Sequence, residues 1–245
     1  CIRDSTEAEL ETAARVQHQL FPEQAPEIPG FDIAGFCQPA TAAGGDLFDY
    51  MQLDDSRWGL VVADVSSHGL GPALIMASTR RVIRTLCKYH PDPGALLTAA
   101  NADLCEDTGG MHFVTALLAV LDPEERSFRY AAGGHDSYLL HADGSHRRLE
   151  PGGLPLGIAA ENNIPTSESI PLRSGDILVL LTDGLAEAMN SSRELFGAAR
   201  VLSLIHKHSA RPSDQIAQEM LAAIHEHCSP ANHTDDLTAV IVKVL

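Results

Sequence analysis

Basic residues, paired cysteines and long apolar runs are scarce in this chain, and each scarcity excludes a class of protein. Lys and Arg number 17 against 33 Asp and Glu, a formal net charge of −16. Such a surface repels nucleic-acid phosphates and anionic lipid, so no nucleic-acid partner and no membrane contact are expected of this segment. The five cysteines, Cys1, Cys37, Cys87, Cys105 and Cys228, are odd in number and never spaced Cys-x-x-Cys. That pattern argues against both a disulfide framework and a thiolate zinc site. No apolar stretch approaches the roughly 18 residues of a membrane span, and no charged-then-apolar leader opens the sequence. Together these absences predict a soluble protein of the reducing cytoplasm. Gly71-Pro72-Ala73 and Gly152-Gly153 lack the Gly-Lys-Ser/Thr ending of a phosphate-cradling P-loop, and there is no Gly-x-Ser-x-Gly nucleophile elbow.

What is present is a chain of 245 residues, 44% hydrophobic, long enough for one large domain with a sizeable core. Its first residue is Cys1 rather than Met, which leads us to expect a piece of a longer protein. Ser5 to Phe21 has no Gly or Pro and sets Leu10, Ala13, Ala14, Gln17 and Leu20 along one side at helical spacing until Pro22. We therefore divide the chain into an N-terminal linker or regulatory helix, 1–22, and one domain over 23–245. Strands are predicted at Leu60–Ala63, Phe113–Leu121, Ser127–Ala132, Tyr138–His141, His146–Leu149, Ile177–Leu181 and Leu237–Val244. Helices are predicted at Gly71–Tyr89, Pro93–Leu104, Ala198–His208 and Ser213–His227, the last with Ser213 as N-cap. Strands and helix pairs thus come in groups. That grouping points to antiparallel sheets with helices packed outside them.

Four acidic motifs punctuate the apolar runs: Gly44-Gly45-Asp46-Leu47-Phe48-Asp49, Asp64-Val65-Ser66-Ser67-His68-Gly69, Thr182-Asp183-Gly184 and Thr234-Asp235-Asp236. Carboxylates gathered in one place raise one another's pKa unless cations neutralise them, so the motifs imply bound divalent ions. Oxygen donors without His or Cys suit Mg²⁺ or Mn²⁺ better than zinc.

The ordered series Gly44-Gly45-Asp46-x-x-Asp49, Asp64-Val65-Ser66-x-His68-Gly69, Gly134-His135, Leu154-Pro155-Leu156-Gly157, Thr182-Asp183-Gly184, Glu194-Leu195-Phe196-Gly197 and Asp235-Asp236-Leu237-Thr238 resembles the PP2C-type metal-dependent serine/threonine phosphatases of the bacterial SpoIIE/RsbU-like branch. The resemblance spans almost the whole chain. It implies an α+β fold, a four-layer α-β-β-α sandwich of two antiparallel sheets flanked by helices. It also implies hydrolysis of phosphoserine or phosphothreonine by a water activated between two Mn²⁺ or Mg²⁺ ions. By resemblance Asp64 bridges the ions, with the Val65 carbonyl and Asp46 on one and Asp183 and Asp235 on the other, while Asp49 and Asp236 act through water. The resemblance implies catalytic roles for Asp64 and Asp183. His68 is either the general acid for the leaving alkoxide or a polar loop residue. The implied partners are a phosphorylated protein of the STAS-type anti-sigma-factor antagonist class and an upstream sensor or receiver domain, and a homodimer is a compatible assembly. Ser67 stands where glycine is common in this branch, and Asp136 follows Gly134-His135 where proline is usual.

Blander readings accompany these. A lone Asp-Gly after a strand is usually a turn. His206, His208, His225, His227 and His233 pair only two apart, not at the i, i+4 spacing of a shared helical metal site. The rival functions are a PP2C-like module, weakly active or inactive, that binds a phosphoprotein, and a different two-metal hydrolase acting on nucleotides or nucleic acid, disfavoured by the charge and the missing P-loop.

Overall fold

The computed structural model describes residues 12–67, 69–231 and 233–245. The N-terminal helix is described over 12–18 (α1), and the first part of the predicted Ser5–Phe21 helix lies outside the described residues. Two hairpin-rich sheets follow. Strands β1 (Phe31–Gln38), β2 (Leu47–Gln52) and β3 (Trp58–Val65) precede helices α2 (Leu70–Leu86) and α3 (Pro93–Thr108). Then come β4 (Val114–Asp122), β5 (Ser127–Gly133), β6 (Ser137–Leu140), β7 (His146–Leu149), β8 (Ile170–Pro171) and β9 (Ile177–Leu181). Helices α4 (Gly184–Glu187), α5 (Ala198–Lys207) and α6 (Ser213–Cys228) lead into β10 (Leu237–Val244). One sheet has the order β1-β10-β9-β6-β7 and the other β2-β3-β4-β5-β8, with every strand pairing antiparallel.

Alternation along the strands explains the layering. Leu60 and Val62 of β3 face Leu178 and Leu180 of β9 and Val240 and Val242 of β10 across the inter-sheet core. Their neighbours Val61, Ala63 and Val65 turn outward onto Met76, Ile83, Leu97 and Leu104 of α2 and α3. Ile177, Val179 and Ile241 turn outward in the other sheet, onto Val201, Ile205, Ile216 and Ile224 of α5 and α6. Because both faces of the central strands are covered, these strands read as unbroken apolar runs rather than as an alternating pattern. The result is the expected α-β-β-α sandwich.

The differences from expectation are local. β1 and β2 carry no clean apolar run: β1 contains Gly35, where a Cβ would collide with the Tyr50 hydroxyl, and β2 is interrupted by Asp49. Ser213 is the first helical residue of α6 rather than its N-cap, which is Pro212. The capping acceptor comes from another element. Ser213 N donates to Asp32 Oδ2 at 2.8 Å and Ser213 Oγ to the Asp32 carbonyl at 2.8 Å, fastening α6 to β1.

Chain connectivity positions the acids. The start of β2 and the end of β3 are neighbours because the two strands form a hairpin with Leu47 opposite Ala63. The end of β9 and the start of β10 are neighbours because Ala239 lies opposite Leu181. All four acidic motifs therefore emerge at one end of the sandwich. Truncating Leu178, fully buried between the sheets, to Ala is expected to lower unfolding free energy by about 3 kcal/mol in urea titrations. The same change at Leu74, 66% exposed on α2, is expected to cost less than about 0.5 kcal/mol.

Candidate active site

Glycines let the four motifs approach one another. A side chain at Gly44 would collide with the Asp236 carboxylate, and one at Gly184 with the Asp236 carbonyl. A Cβ on Gly45 would stand 2.9 Å from the Val65 carbonyl oxygen. The missing side chains thus bring the first motif against the second and fourth, and the third against the fourth.

Hydrogen bonds fix this arrangement across the two sheets. Thr182 Oγ1 donates to Asp46 Oδ2 at 2.8 Å. The Asp236 carboxylate accepts from Ala40 N at 2.8 Å and Gly45 N at 2.7 Å, so its oxygens hold the loop that carries Asp46. Gln17 of α1 is buried and reaches the same loop, its Nε2 donating to the Gly44 carbonyl at 2.6 Å and its Oε1 accepting from Gly44 N at 3.1 Å. Phe21 then stacks on Phe48 of β2, with ring centroids 5.5 Å apart.

The acids grade from buried to open. Asp46 and Asp236 are buried, Asp64 is half-buried, and Asp183 and Asp235 are exposed. Burial and then the charges of Asp183, Asp235 and Asp236 push the Asp64 carboxyl up to about 7. Burial, followed by the Asp64 charge, also holds Asp46 well above the ordinary carboxylate range. Glu187 of α4 is raised by burial and by Asp183 and Asp235, which places a further carboxylate beside the group. This is the electrostatics of a site short of positive charge.

Asp46, Asp64, Asp183, Asp235 and Asp236 therefore form one neighbourhood, with the Val65 carbonyl beside Gly45. Asp49 stands apart. It is buried in β2, and its carboxylate accepts from Arg84 Nε and Nη2 at 2.5 and 2.8 Å and from Tyr50 N at 2.8 Å. Arg80 Nε lies 3.0 Å from the same group. Guanidinium groups thus neutralise Asp49 from α2. His68 lies outside the described residues. Ser67, where glycine is common in the branch resembled, has φ 77°, the left-handed region that glycine enters without steric cost.

An all-oxygen donor set with excess negative charge fits a hard divalent cation rather than a soft one. Among the described residues, no three His, Cys, Asp or Glu side chains are already drawn together as a ligand shell. The acids are assembled as neighbours at one end of the sandwich.

Sequence reasoning missed Gln17 as a contact of the first motif, the Arg80 and Arg84 partners of Asp49, and Glu187. For Gln17 a signal existed, a polar residue on the apolar side of its helix. The Arg80 and Arg84 partnerships with Asp49 join residues some thirty positions apart and carried none, whereas Glu187 stands one helical turn after Asp183 and its spacing was a signal.

A double antiparallel sandwich with carboxylates converging at one end defines a PP2C-type fold. It superposes on the SiaA-PP2C domain of Pseudomonas aeruginosa with a TM-score of 0.88, at 19% identity, covering 100% of this chain and 99% of that one. The sequence model of Stage II sporulation protein E (SpoIIE) matches residues 54–245, and the chain belongs to that family. It is 31% identical to the RsbU and RsbW domains of Rv1364c from Mycobacterium tuberculosis, with a TM-score of 0.76, covering 89% of this chain and 61% of that one. It is also 24% identical over 246 residues to the phosphoserine phosphatase RsbP of Bacillus subtilis, and 25% identical over 265 residues to protein IcfG of Synechocystis. Those alignments cover 98% and 96% of this chain but 59% and 41% of the relatives' lengths. PP2C-type phosphatases are in general metal-dependent. Among the described residues, no helix is long and apolar enough to cross a membrane.

A carboxyl whose folded pKa exceeds its unfolded value binds more protons in the folded state, so its contribution to stability is lost as pH rises between the two values. For Asp64 that window runs from 3.8 to about 7. In chelator, the melting temperature is expected to fall from pH 5 to pH 8, and added Mn²⁺ to restore it at pH 8. Neutralising single acids separates their roles. In chelator at pH 8, Asp64→Asn is expected to raise the melting temperature, whereas Asp49→Asn lowers stability by about 2 kcal/mol, a buried pair discounted for the partial exposure of its arginines.

Proposed function

We propose that this domain is a metal-dependent serine/threonine protein phosphatase, and the observation that carries the reading is the convergence of Asp46, Asp64, Asp183 and Asp235 at one end of the sandwich. In this reading Asp46, Asp64, the Val65 carbonyl, Asp183 and Asp235 would hold two divalent cations, Mn²⁺ or Mg²⁺. When bound, such a pair supplies an activated water and a clamp for an in-line displacement at phosphorus. The protein's own contribution is orientation. Asp236 and Thr182 hold the Asp46 loop in place, and the exposed Asp183 and Asp235 leave the site open to a macromolecule. His68 is assigned proton donation to the leaving serine or threonine oxygen.

Apolar ground beside the acids supports a protein substrate over a small ester. Ser66 pairs with Phe113, with Ser66 N donating to the Phe113 carbonyl at 2.9 Å and Phe113 N to Ser66 Oγ at 3.1 Å. Phe113 and neighbouring Met111 are exposed, as are Leu70 and Leu74 on α2. Apolar surface next to a reactive site suits the flanks of a phosphorylated segment. By analogy with its relatives, the substrate is a phosphoserine or phosphothreonine on a STAS-type anti-sigma-factor antagonist, in bacterial signalling. Regulation enters through residues 1–22, where the Gln17 amide grips the Gly44 peptide, so displacement of α1 by an upstream sensor or receiver domain would disturb the Asp46 loop.

The second reading is a weakly active or inactive phosphoprotein-binding module of the same fold. Phosphate release from an aryl phosphate and from a phosphoserine peptide separates the two. Activity is expected with Mn²⁺, to vanish in chelator, and to fall in Asp64→Asn and Asp183→Asn by more than the roughly 10–100-fold typical of changes outside the ligand shell. Activity that survives chelation, or both substitutions, rejects the two-metal reading. Retained phosphopeptide binding without turnover favours the module.

A further inference from the structure

His135 has no part in the mechanism above, yet its surroundings are specific. It lies between β5, which ends one sheet's run at Gly133, and β6, which begins in the other sheet at Ser137. The chain crosses between sheets at this point. The imidazole is 5% exposed and both ring nitrogens are engaged. Nε2 lies 2.8 Å from the Leu181 carbonyl oxygen, and Nδ1 lies 3.1 Å from Thr115 Oγ1. A carbonyl only accepts, so Nε2 carries the proton. Burial favours the neutral ring, whose Nδ1 then accepts from the Thr115 hydroxyl.

The two contacts end beside the acids. Thr115 is the β4 residue directly opposite Asp64 of β3. Leu181 is the last residue of β9, two before Asp183. A cavity of about 230 Å³ is bordered by Thr115, His135, Asp183 and Glu187, so the ring forms part of its wall. Other polar links join the sheets here, among them Thr182 to Asp46 and Gly45 to Asp236, and these end on carboxylates of the acidic group. A cation competes with such links for the same oxygens. The His135 link uses none of them, ending instead on a hydroxyl and a backbone carbonyl.

We propose that His135 is a positioning residue that sets the spacing between the Asp64 and Asp183 halves of the site, by bridging Thr115 in one sheet to Leu181 in the other. The proposal rests on the metal reading of the acids and not on the reaction assigned to them. Residues that orient a metal site from outside its ligand shell typically contribute 10–100-fold to affinity or activity.

The test compares wild type, His135→Phe, His135→Gln, Thr115→Val and the Thr115→Val/His135→Phe double variant in the 245-residue chain. Mn²⁺ affinity is measured by calorimetry, phosphate release with an aryl phosphate, and thermal unfolding in chelator. His135→Phe is expected to weaken Mn²⁺ binding about 10–100-fold and Thr115→Val about 10-fold. The double variant should bind no more weakly than His135→Phe alone, because both changes break one bridge. His135→Gln, which keeps an N–H for the Leu181 carbonyl, should recover most of the affinity. In the wild type, nitrogen NMR should find the ring neutral with the proton on Nε2 from pH 5 to pH 8. Should His135→Phe fail to fold, Thr115→Val and His135→Gln carry the same comparison.

Unchanged Mn²⁺ affinity in all variants, with only a lower melting temperature, overturns the proposal, as do effects of Thr115→Val and His135→Phe that simply add. Wild-type phosphatase activity indifferent to every substitution leaves the phosphatase reading standing and removes the bridge. Mn²⁺ binding that depends on His135 without any phosphate release keeps the bridge and removes the phosphatase reading. A wild type that binds no Mn²⁺ overturns both.

Discussion

Mutual repulsion among carboxylates brought to one end of a double sheet is the constraint on which the rest of this structure depends. Asp46, Asp64, Asp183, Asp235 and Asp236 come from four separate stretches of chain, and burial beside one another pushes Asp46 and Asp64 above the ordinary carboxylate range. A fold tolerates such a cost only where the surrounding backbone over-determines it. Here the over-determination is steric as well as polar. Gly44, Gly45 and Gly184 sit so close to Asp236 and Val65 that side chains at those positions would collide with them.

The two sheets share the work unequally. Asp46 and Asp64 belong to the β2–β3 hairpin, Asp183 to the end of β9, and Asp235 and Asp236 to the entrance of β10. Within each pair, antiparallel pairing guarantees proximity, so the hydrogen-bond ladder itself does the positioning. Between the pairs nothing in the ladder helps, and the spacing is set by the Leu60, Val62, Leu178, Leu180 and Val240 packing and by the polar links near the acids. Close-packed cores pass small shifts on rather than absorbing them. The N-terminal segment touches this packing at two points, the Gln17 amide on the Gly44 peptide and the Phe21–Phe48 stack.

Much of this was legible in the sequence because its signals are local. Ile177–Leu181 and Leu237–Val244 are apolar runs whose strand character needs no partner to be seen, and the 3.6-residue spacing of Val201, Leu202 and Ile205 marks a helix by itself. β1 and β2 were not legible, since Gly35 and Asp49 interrupt them for reasons that lie in other elements. Asp49 illustrates the limit best. Three residues from Asp46, it carries the same chemistry and the same apparent claim to a cation, but Arg84 and Arg80 approach it from α2, some thirty residues on.

The sequence by itself determined the kinds of groups at the site, the order in which the chain presents them, and their places at strand ends, because side-chain chemistry and hydrophobic periodicity are properties of short stretches. Only the tertiary structure decided which acids share a neighbourhood, which one is neutralised by arginine, and which residues form hydrogen bonds between the two sheets beside the acids. Those outcomes depend on distances between residues separated by up to about two hundred positions, and such distances are set by packing and backbone approach, which no local pattern encodes.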